Sequence, residues 1–286
     1  MNPFKWRSLA VIVTGLLLAV CFPPFGLDKA AWLALIPLLL LARFTRPLPA
    51  FRWGFTAGLI FWLIDISWLL HLGVVGGPWV FVIAGWILLS AYCAMYIGAF
   101  AACASFLMGY GETRIGTDAG GGTAHFAFGM MKSAWLVFAV PLAWCGFEYL
   151  RSVLFTGFPW NTLAISQYRN LMIIQIAELG GVYAVSLALV SINIVTVLLA
   201  LRLADMARRQ YVPRVHLELT VALGVLAAVL LFGMDRFKKI REQEPYRRKV
   251  YVSAVQPNIP QECKWRPEIA DEILNSLKVN TELALA

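Results

Sequence analysis

The chain has 286 residues, 60% of them hydrophobic and 14% charged, against ~45–50% and ~25% for an ordinary soluble domain. That balance excludes a plain water-soluble globule and a disordered chain, and its aromatics (Trp 11, Phe 18, Tyr 9) suit lipid–water boundaries. The formal charge of +8 is therefore read first as membrane topology and not as nucleic-acid binding.

A helix needs ~20 mainly apolar residues to cross a hydrocarbon core ~30 Å thick. In chain order, seven stretches answer to that description: 8–25, 29–42, 51–72, 78–109, 134–154, 171–201 and 217–234. The expected fold is an α-helical polytopic membrane bundle of about seven spans. The second stretch is short and follows the turn Phe22-Pro23-Pro24-Phe25-Gly26, so the first two are expected to form a tight hairpin that does not fully cross at its tip. Lys5 and Arg7 before an apolar run ending at Cys21 superficially resemble a lipoprotein signal. Val20 occupies the position that needs a small residue, so an uncleaved first span is the reading. Residues 111–132, with Gly120-Gly121-Gly122, read as a flexible connector without a phosphate-cradling Gly-Lys-Ser/Thr.

With the N-terminus taken as cytoplasmic, the inside segments carry eleven Lys/Arg and the intervening outside loops three, which orients the chain N-terminus in. An odd number of spans then leaves everything after residue 234 outside. The basic run from Arg236 to Lys249 goes against that bias, although a long translocated domain overrides it.

Two places carry polar chemistry at membrane depth. Glu148 and Arg151 stand three apart at a helix end, on one face, where opposite charges can pair. The loop that follows, Phe155-Thr156-Gly157-Phe158-Pro159-Trp160-Asn161 with Ser166-Gln167, combines glycine, proline and aromatics. It reads either as an anchoring aromatic belt or as a loop inserting rings among lipid headgroups. Asp65, within a span, must face the bundle interior or water. Its expected role is a substrate or headgroup contact, or a structural partner for Ser67, an indole N–H or a backbone donor. The five cysteines and three histidines show no metal-ligand spacing, so neither metal nor cofactor is expected.

After residue 247 the pattern changes. Lys249 to Gln256 alternates like a strand, Pro257-Asn258-Ile259-Pro260-Gln261 reads as a turn, and Pro267 to Leu283 reads as a helix. The chain thus divides into a transmembrane domain (1–235), a basic linker (236–247) and the first strand, loop and helix of an incomplete α/β domain (248–286).

Phe22-Pro23-Pro24-Phe25-Gly26-Leu27 with Trp32 to Leu38, Glu148-Tyr149-Leu150-Arg151 with Thr156 to Trp160, Glu178-Leu179-Gly180-Gly181-Val182-Tyr183, and Val255 to Gln261 with Lys264-Trp265 follow one another in a fixed order. In that order they resemble the bacterial apolipoprotein N-acyltransferases. The resemblance implies a membrane bundle supporting a periplasmic domain of the carbon–nitrogen hydrolase (nitrilase) type, in a bacterial inner membrane. It implies acyl transfer from a phospholipid donor to the α-amine of a diacylglyceryl-cysteine lipoprotein, with a Cys nucleophile, a Glu base and a Lys stabilising the oxyanion. In the family those three come later than Ala286, so no catalytic residue is expected within this chain, and the 286 residues alone are expected to be inactive. Cys263 does not stand at the nucleophile's position. Trp265 aligns with a tryptophan near the substrate entrance, and Trp265, Glu148, Arg151, Pro159, Trp160, Gln167 and Asp65 form the candidate lipid- or substrate-contacting set. The alternatives are a non-catalytic lipid- or lipoprotein-binding membrane module, or half of a split enzyme completed by a separate chain.

Overall fold

The computed structural model describes residues 3–74, 77–109, 123–209, 216–260, 263–264 and 266–285. The architecture is helical throughout, with no strand among the described residues. Helix α1 spans Pro3–Val20. A short 3₁₀ turn at Asp28–Trp32 leads to α2, Ile36–Arg43, which carries Pro37 in its first turn, where a missing N–H costs nothing. Helix α3, Pro47–Asp65, opens on a proline for the same reason. A 51° bend at Ile66 separates it from the 3₁₀ turn Ser67–Leu70 and α4, His71–Val74. There follow α5 (Trp79–Leu107), α6 (Thr123–Val153), α7 (Leu171–Ile174), α8 (Ala177–Arg209), α9 (His216–Gln243) and α10 (Ala270–Leu285). Helix α8 is interrupted near its start at Gly180–Gly181, where Gly181 adopts φ +62.

Among the described residues three helical stretches are long and apolar enough to cross a membrane, Trp79–Leu107, Trp135–Thr156 and Ala177–Ala204, and up to four if α3 and the bent segment after it count as one. Their outward faces are apolar: Val80, Phe81 and Leu88 of α5 are exposed, as are Trp135, Phe138 and Leu142 of α6. Such faces have no reason to form in water, and a helical membrane bundle accounts for them.

Several sequence expectations are revised in detail. The stretch 29–42 is not one helix. It divides into the 3₁₀ turn and the eight-residue α2, with Pro37 in the first turn of α2, where a missing N–H costs nothing. The stretch 51–72 is broken at Ile66. Of the connector 111–132, residues 111–122 lie outside the described residues, and from Thr123 the chain is already helical. The basic segment 236–247 is helical over most of its length: α9 runs through to Gln243 and a 3₁₀ turn covers Glu244–Tyr246. The strand expected from Lys249 to Gln256 does not form. Val250, Tyr251 and Val252 are almost fully exposed, and strand alternation without a neighbouring strand leaves the backbone with no ladder to join. The helix expected from Pro267 does form, as a 3₁₀ turn leading into α10.

The bundle is held by close backbone approach and by a few buried polar staples. Helices α3 and α5 pack along Gly54 and Gly58, one turn apart. A Cβ on Gly54 would lie 2.5 Å from Ala101 Cβ, and one on Gly58 would lie 3.0 Å from Ala94 Cα. Where lipid removes the hydrophobic drive between helices, such small-residue seams bring backbones into dispersion contact. Phe100 of α5 meets Trp144 of α6 edge-on at 4.9 Å.

Where the 3₁₀ turn gives way to α2, Ala31 O and Leu35 N are left without backbone partners, and Asn193 of α8 satisfies them. Its Oδ1 accepts from Leu35 N at 3.0 Å, and its Nδ2 donates to Ala31 O at 3.0 Å and to Leu189 O at 2.9 Å, all fully buried. Asn193→Ala leaves a buried N–H and a buried carbonyl unpaired. It is expected to destabilise the bundle by about 1–3 kcal/mol for each such group, read as a lower thermal midpoint of the purified chain.

Long-range contacts sort the connections into two ends. Asp28 meets Gln167 and Asn170, Asp65 meets Asn161, Trp68 meets Trp160, and Glu178 meets Arg236 at one end. At the other, Arg43 Nη1 donates to Gly109 O at 3.2 Å and Ser105 Oγ donates to Thr45 O. The polar chemistry is concentrated at the first end.

Candidate functional site

At the C-terminal end of α6 the chain doubles back. Phe158 N donates to Arg151 O and Gly157 N to Leu154 O, each at 2.8 Å. The reversal passes through the left-handed region at three successive residues, Phe155 (φ +49), Thr156 (φ +72) and Gly157 (φ +78). Only the last is suited to it: a Cβ on Gly157 would stand 1.9 Å from Ser152 O. A β-branched threonine at positive φ is a true outlier and persists only where surrounding contacts hold it.

Those contacts come from the two charges of the motif. Arg151 Nη1 donates to Phe158 O at 2.6 Å and to Trp160 O at 2.7 Å, while its guanidinium lies 4.7 Å above the Trp62 ring of α3. Glu148 Oε1 accepts from Leu163 N at 2.7 Å. One helix turn therefore grips the returning loop at both ends. The expected direct Glu148–Arg151 ion pair is not found within 4 Å among the described residues. Both headgroups turn instead to loop carbonyls and an N–H that would otherwise be buried unpaired. At 6% and 4% exposure, Glu148 and Arg151 are buried with the loop they hold.

The loop in turn reaches α3. Asn161 Nδ2 donates to both oxygens of Asp65, at 2.9 and 2.8 Å. Asn161 has φ +44, a conformation that asparagine tolerates better than most residues. The partner of Asp65 is thus a side chain 96 positions away, and neither Ser67 nor an indole. Trp160 stacks on Trp68 at 5.2 Å and lies parallel to Phe158 at 6.0 Å, and Phe158 meets Trp62 edge-on at 6.0 Å.

Asp65, Glu148, Arg151 and Trp160 therefore belong to one constellation, with exposed Pro159 on its rim. Gln167 lies elsewhere. Fully buried, it donates from Nε2 to Asp28 O at 2.7 Å and accepts from Asn170 Nδ2 at 2.8 Å, so it clamps the Asp28 turn. Trp265 lies outside the described residues. Asn161 and Trp62 were missed by sequence reasoning. Trp62 precedes Asp65 by three residues and shares its helix face, a signal that was available. Beneath the loop a small cavity of about 30 Å³ is bounded by Trp62, Tyr96, Trp144, Glu148, Arg151 and Asn161, with apolar side chains completing the wall. Among the described residues no cluster of His, Cys, Asp and Glu could hold a metal ion.

The fold and this constellation define a helical membrane protein whose charges are committed to holding a loop at one end of the bundle. Residues 14–195, more than half of the chain, match the family described as the apolipoprotein N-acyltransferase N-terminal domain. The chain belongs to that family. It is 31% identical over 92% of its length to an apolipoprotein N-acyltransferase of Geobacter metallireducens, covering 46% of that protein. It is 33% identical over 91% of its length to one of Methylococcus capsulatus, covering 45%, and 31% identical over 94% to one of Nitrosomonas europaea, covering 47%. The chain spans about half the length of the curated relatives it matches.

Proposed function

We propose that residues 1–286 form the N-terminal portion of an apolipoprotein N-acyltransferase, the activity that the relatives' names give, with a phospholipid as the acyl donor. The observation that carries this reading is the loop 155–161, clamped by Glu148, Arg151 and Asp65 inside the family-matched region and presenting Phe155, Pro159 and Trp160 at one end of the bundle. In this reading the bundle crosses a bacterial inner membrane about seven times, N-terminus in the cytoplasm, and its clamped end faces the periplasm. Residues 248–286 begin the nitrilase-like domain. Helix α10 supports that, because its apolar residues Leu274, Val279 and Leu283 are uncovered and suit burial by further polypeptide. That polypeptide supplies the Glu, Lys and Cys of a ping-pong acyl-enzyme cycle. The bundle's own task is to present two lipid substrates laterally, with Trp265 at the substrate entrance.

The test joins residues 1–286 to the C-terminal half of the Geobacter metallireducens relative and expresses the chimera in cells depleted of their own N-acyltransferase. The chimera is expected to restore N-acylated lipoprotein by mass spectrometry, Trp265→Ala within it is expected to lose the product, and residues 1–286 alone are expected to give none. N-acylation by residues 1–286 unaided, or a well-inserted chimera that gives no product, contradicts the proposal.

A further inference from the structure

The outward face of α9 changes chemistry within one turn. Val225, Val229 and Phe232 pack inward against the bundle, and Gly233 is closed in by the Met172 carbonyl of α7. On the opposite face Leu223, Leu231 and Met234 are exposed, as residues of a helix flanked by hydrocarbon are. Continuing that face by four residues and then three brings Lys238 and Arg241, both exposed. At the α-helical rise they stand ~6 Å and ~10 Å beyond Met234 along the axis. The face that meets acyl chains therefore turns cationic where hydrocarbon gives way to headgroups.

The cations there outnumber their partners. From Asp235 to Lys249 seven Lys/Arg stand against three acids, Asp235, Glu242 and Glu244. Arg236 turns inward to Glu178, and Lys239 pairs with Asp235 at 2.7 Å. Lys238 has Glu242 at 3.8 Å, a loose pair with both side chains in the open, which holds little. Arg241, with its guanidinium 5.4 Å from the Phe237 ring centre, has no acidic partner among the described residues, nor have Arg248 and Lys249, while Arg247 donates to the neutral Gln243 side chain at 3.2 Å. Because Lys238 and Arg241 continue the face of Leu231 and Met234, the anion that meets them is one anchored by acyl chains. A zwitterionic headgroup brings its own cation into this surplus of positive charge. An anionic headgroup does not.

We infer that Lys238 and Arg241, at the end of α9, bind the headgroup of an anionic phospholipid whose acyl chains lie along Leu231 and Met234. The Arg241 fork donates to two phosphate oxygens and Lys238 supplies a point charge beside them. Arg247, Arg248 and Lys249, next in the chain, add to the field that draws such a lipid in. The site requires only that the bundle sits in lipid and stands whether or not the acyl-transfer reading does.

The test uses residues 1–286 in phosphatidylcholine nanodiscs containing a small fraction of phosphatidylglycerol with a diazirine on its headgroup. Labelling is expected to saturate and to map to peptides from 231–249. Added phosphatidylglycerol is expected to abolish it, whereas phosphatidylcholine of the same chains, or soluble glycerol phosphate, is expected to leave it intact. The double variant Lys238→Gln with Arg241→Gln is expected to bind the probe roughly tenfold more weakly or worse, since each cation near an anionic surface contributes severalfold, and to keep the wild-type thermal midpoint. If that variant misfolds, the competition on the wild-type chain decides. Labelling absent from 231–249, label that phosphatidylcholine or glycerol phosphate removes as well as phosphatidylglycerol does, or a folded double variant that labels like wild type, overturns the site.

Discussion

Arg151→Met is expected to release the 155–161 loop and to cost about 3–5 kcal/mol, the range for removing one member of a buried charge set. The substitution withdraws both donors from the Phe158 and Trp160 carbonyls and removes the cation stacked on Trp62. It also removes the cation that attracts both the Asp65 and the Glu148 carboxylates. The strain at Phe155 and Thr156 then has nothing to hold it. Arg151→Lys is not expected to rescue, because a single ammonium cannot make the two carbonyl bonds and lie flat on the indole as the guanidinium does. A thermal unfolding series on the purified chain checks the cost. Protease cleavage near residue 156 checks the release: rapid cleavage in Arg151→Met and Arg151→Lys, slow in the wild type. A lysine variant indistinguishable from wild type would show that charge alone, without the fork, holds the loop.

Gly54→Leu is expected to separate α3 from α5 and to cost at the upper end of the ~1–3 kcal/mol typical of overpacking, or beyond it. Already at Cβ the new side chain would stand 2.5 Å from Ala101 Cβ and 2.9 Å from the Ile97 carbonyl oxygen, so the neighbours have no flexible tip to move aside. Gly85, on the same helix as Ala101 but with open space at its Cβ, supplies the control, and Gly85→Leu is expected to be nearly neutral. Thermal midpoints of the two variants measure the difference. Equal losses would mean that the seam contributes nothing beyond general apolar surface.

The helical membrane class and the polar motif at the end of α6 were legible because each is written locally, in run length and in i,i+3 spacing. What the spacing of Glu148 and Arg151 could not reveal is that both would turn to a loop that folds back over them. The Asp65–Asn161 contact was equally hidden, since it closes across 96 positions and each residue reads locally as a lone polar group. Other features were readable and passed over. Asn193 interrupts the apolar run Ser191-Ile192-Asn193-Ile194-Val195, and a lone amide there has to be partnered by another element. Gly54 and Gly58 carry the small-residue spacing of a helix seam. The short α2 could have been foreseen from Pro37, while the bend at Ile66 has no proline or glycine to announce it. The alternation of residues 249–256 predicted a strand correctly in pattern but not in outcome, because a strand is a property of two segments and the described residues contain only one.

The clamped loop and the exposed tail are expected to share one membrane face, opposite to the α2–α3 connection. Single cysteines replacing Thr156, Asn258 and Phe44, with Cys263 changed to serine, test this with a membrane-impermeant maleimide on cells whose outer membrane has been opened. Labelling is expected at 156 and 258 before lysis and at 44 only after it. Labelling of 156 and 44 from the same side, or of 156 only after lysis, would contradict it.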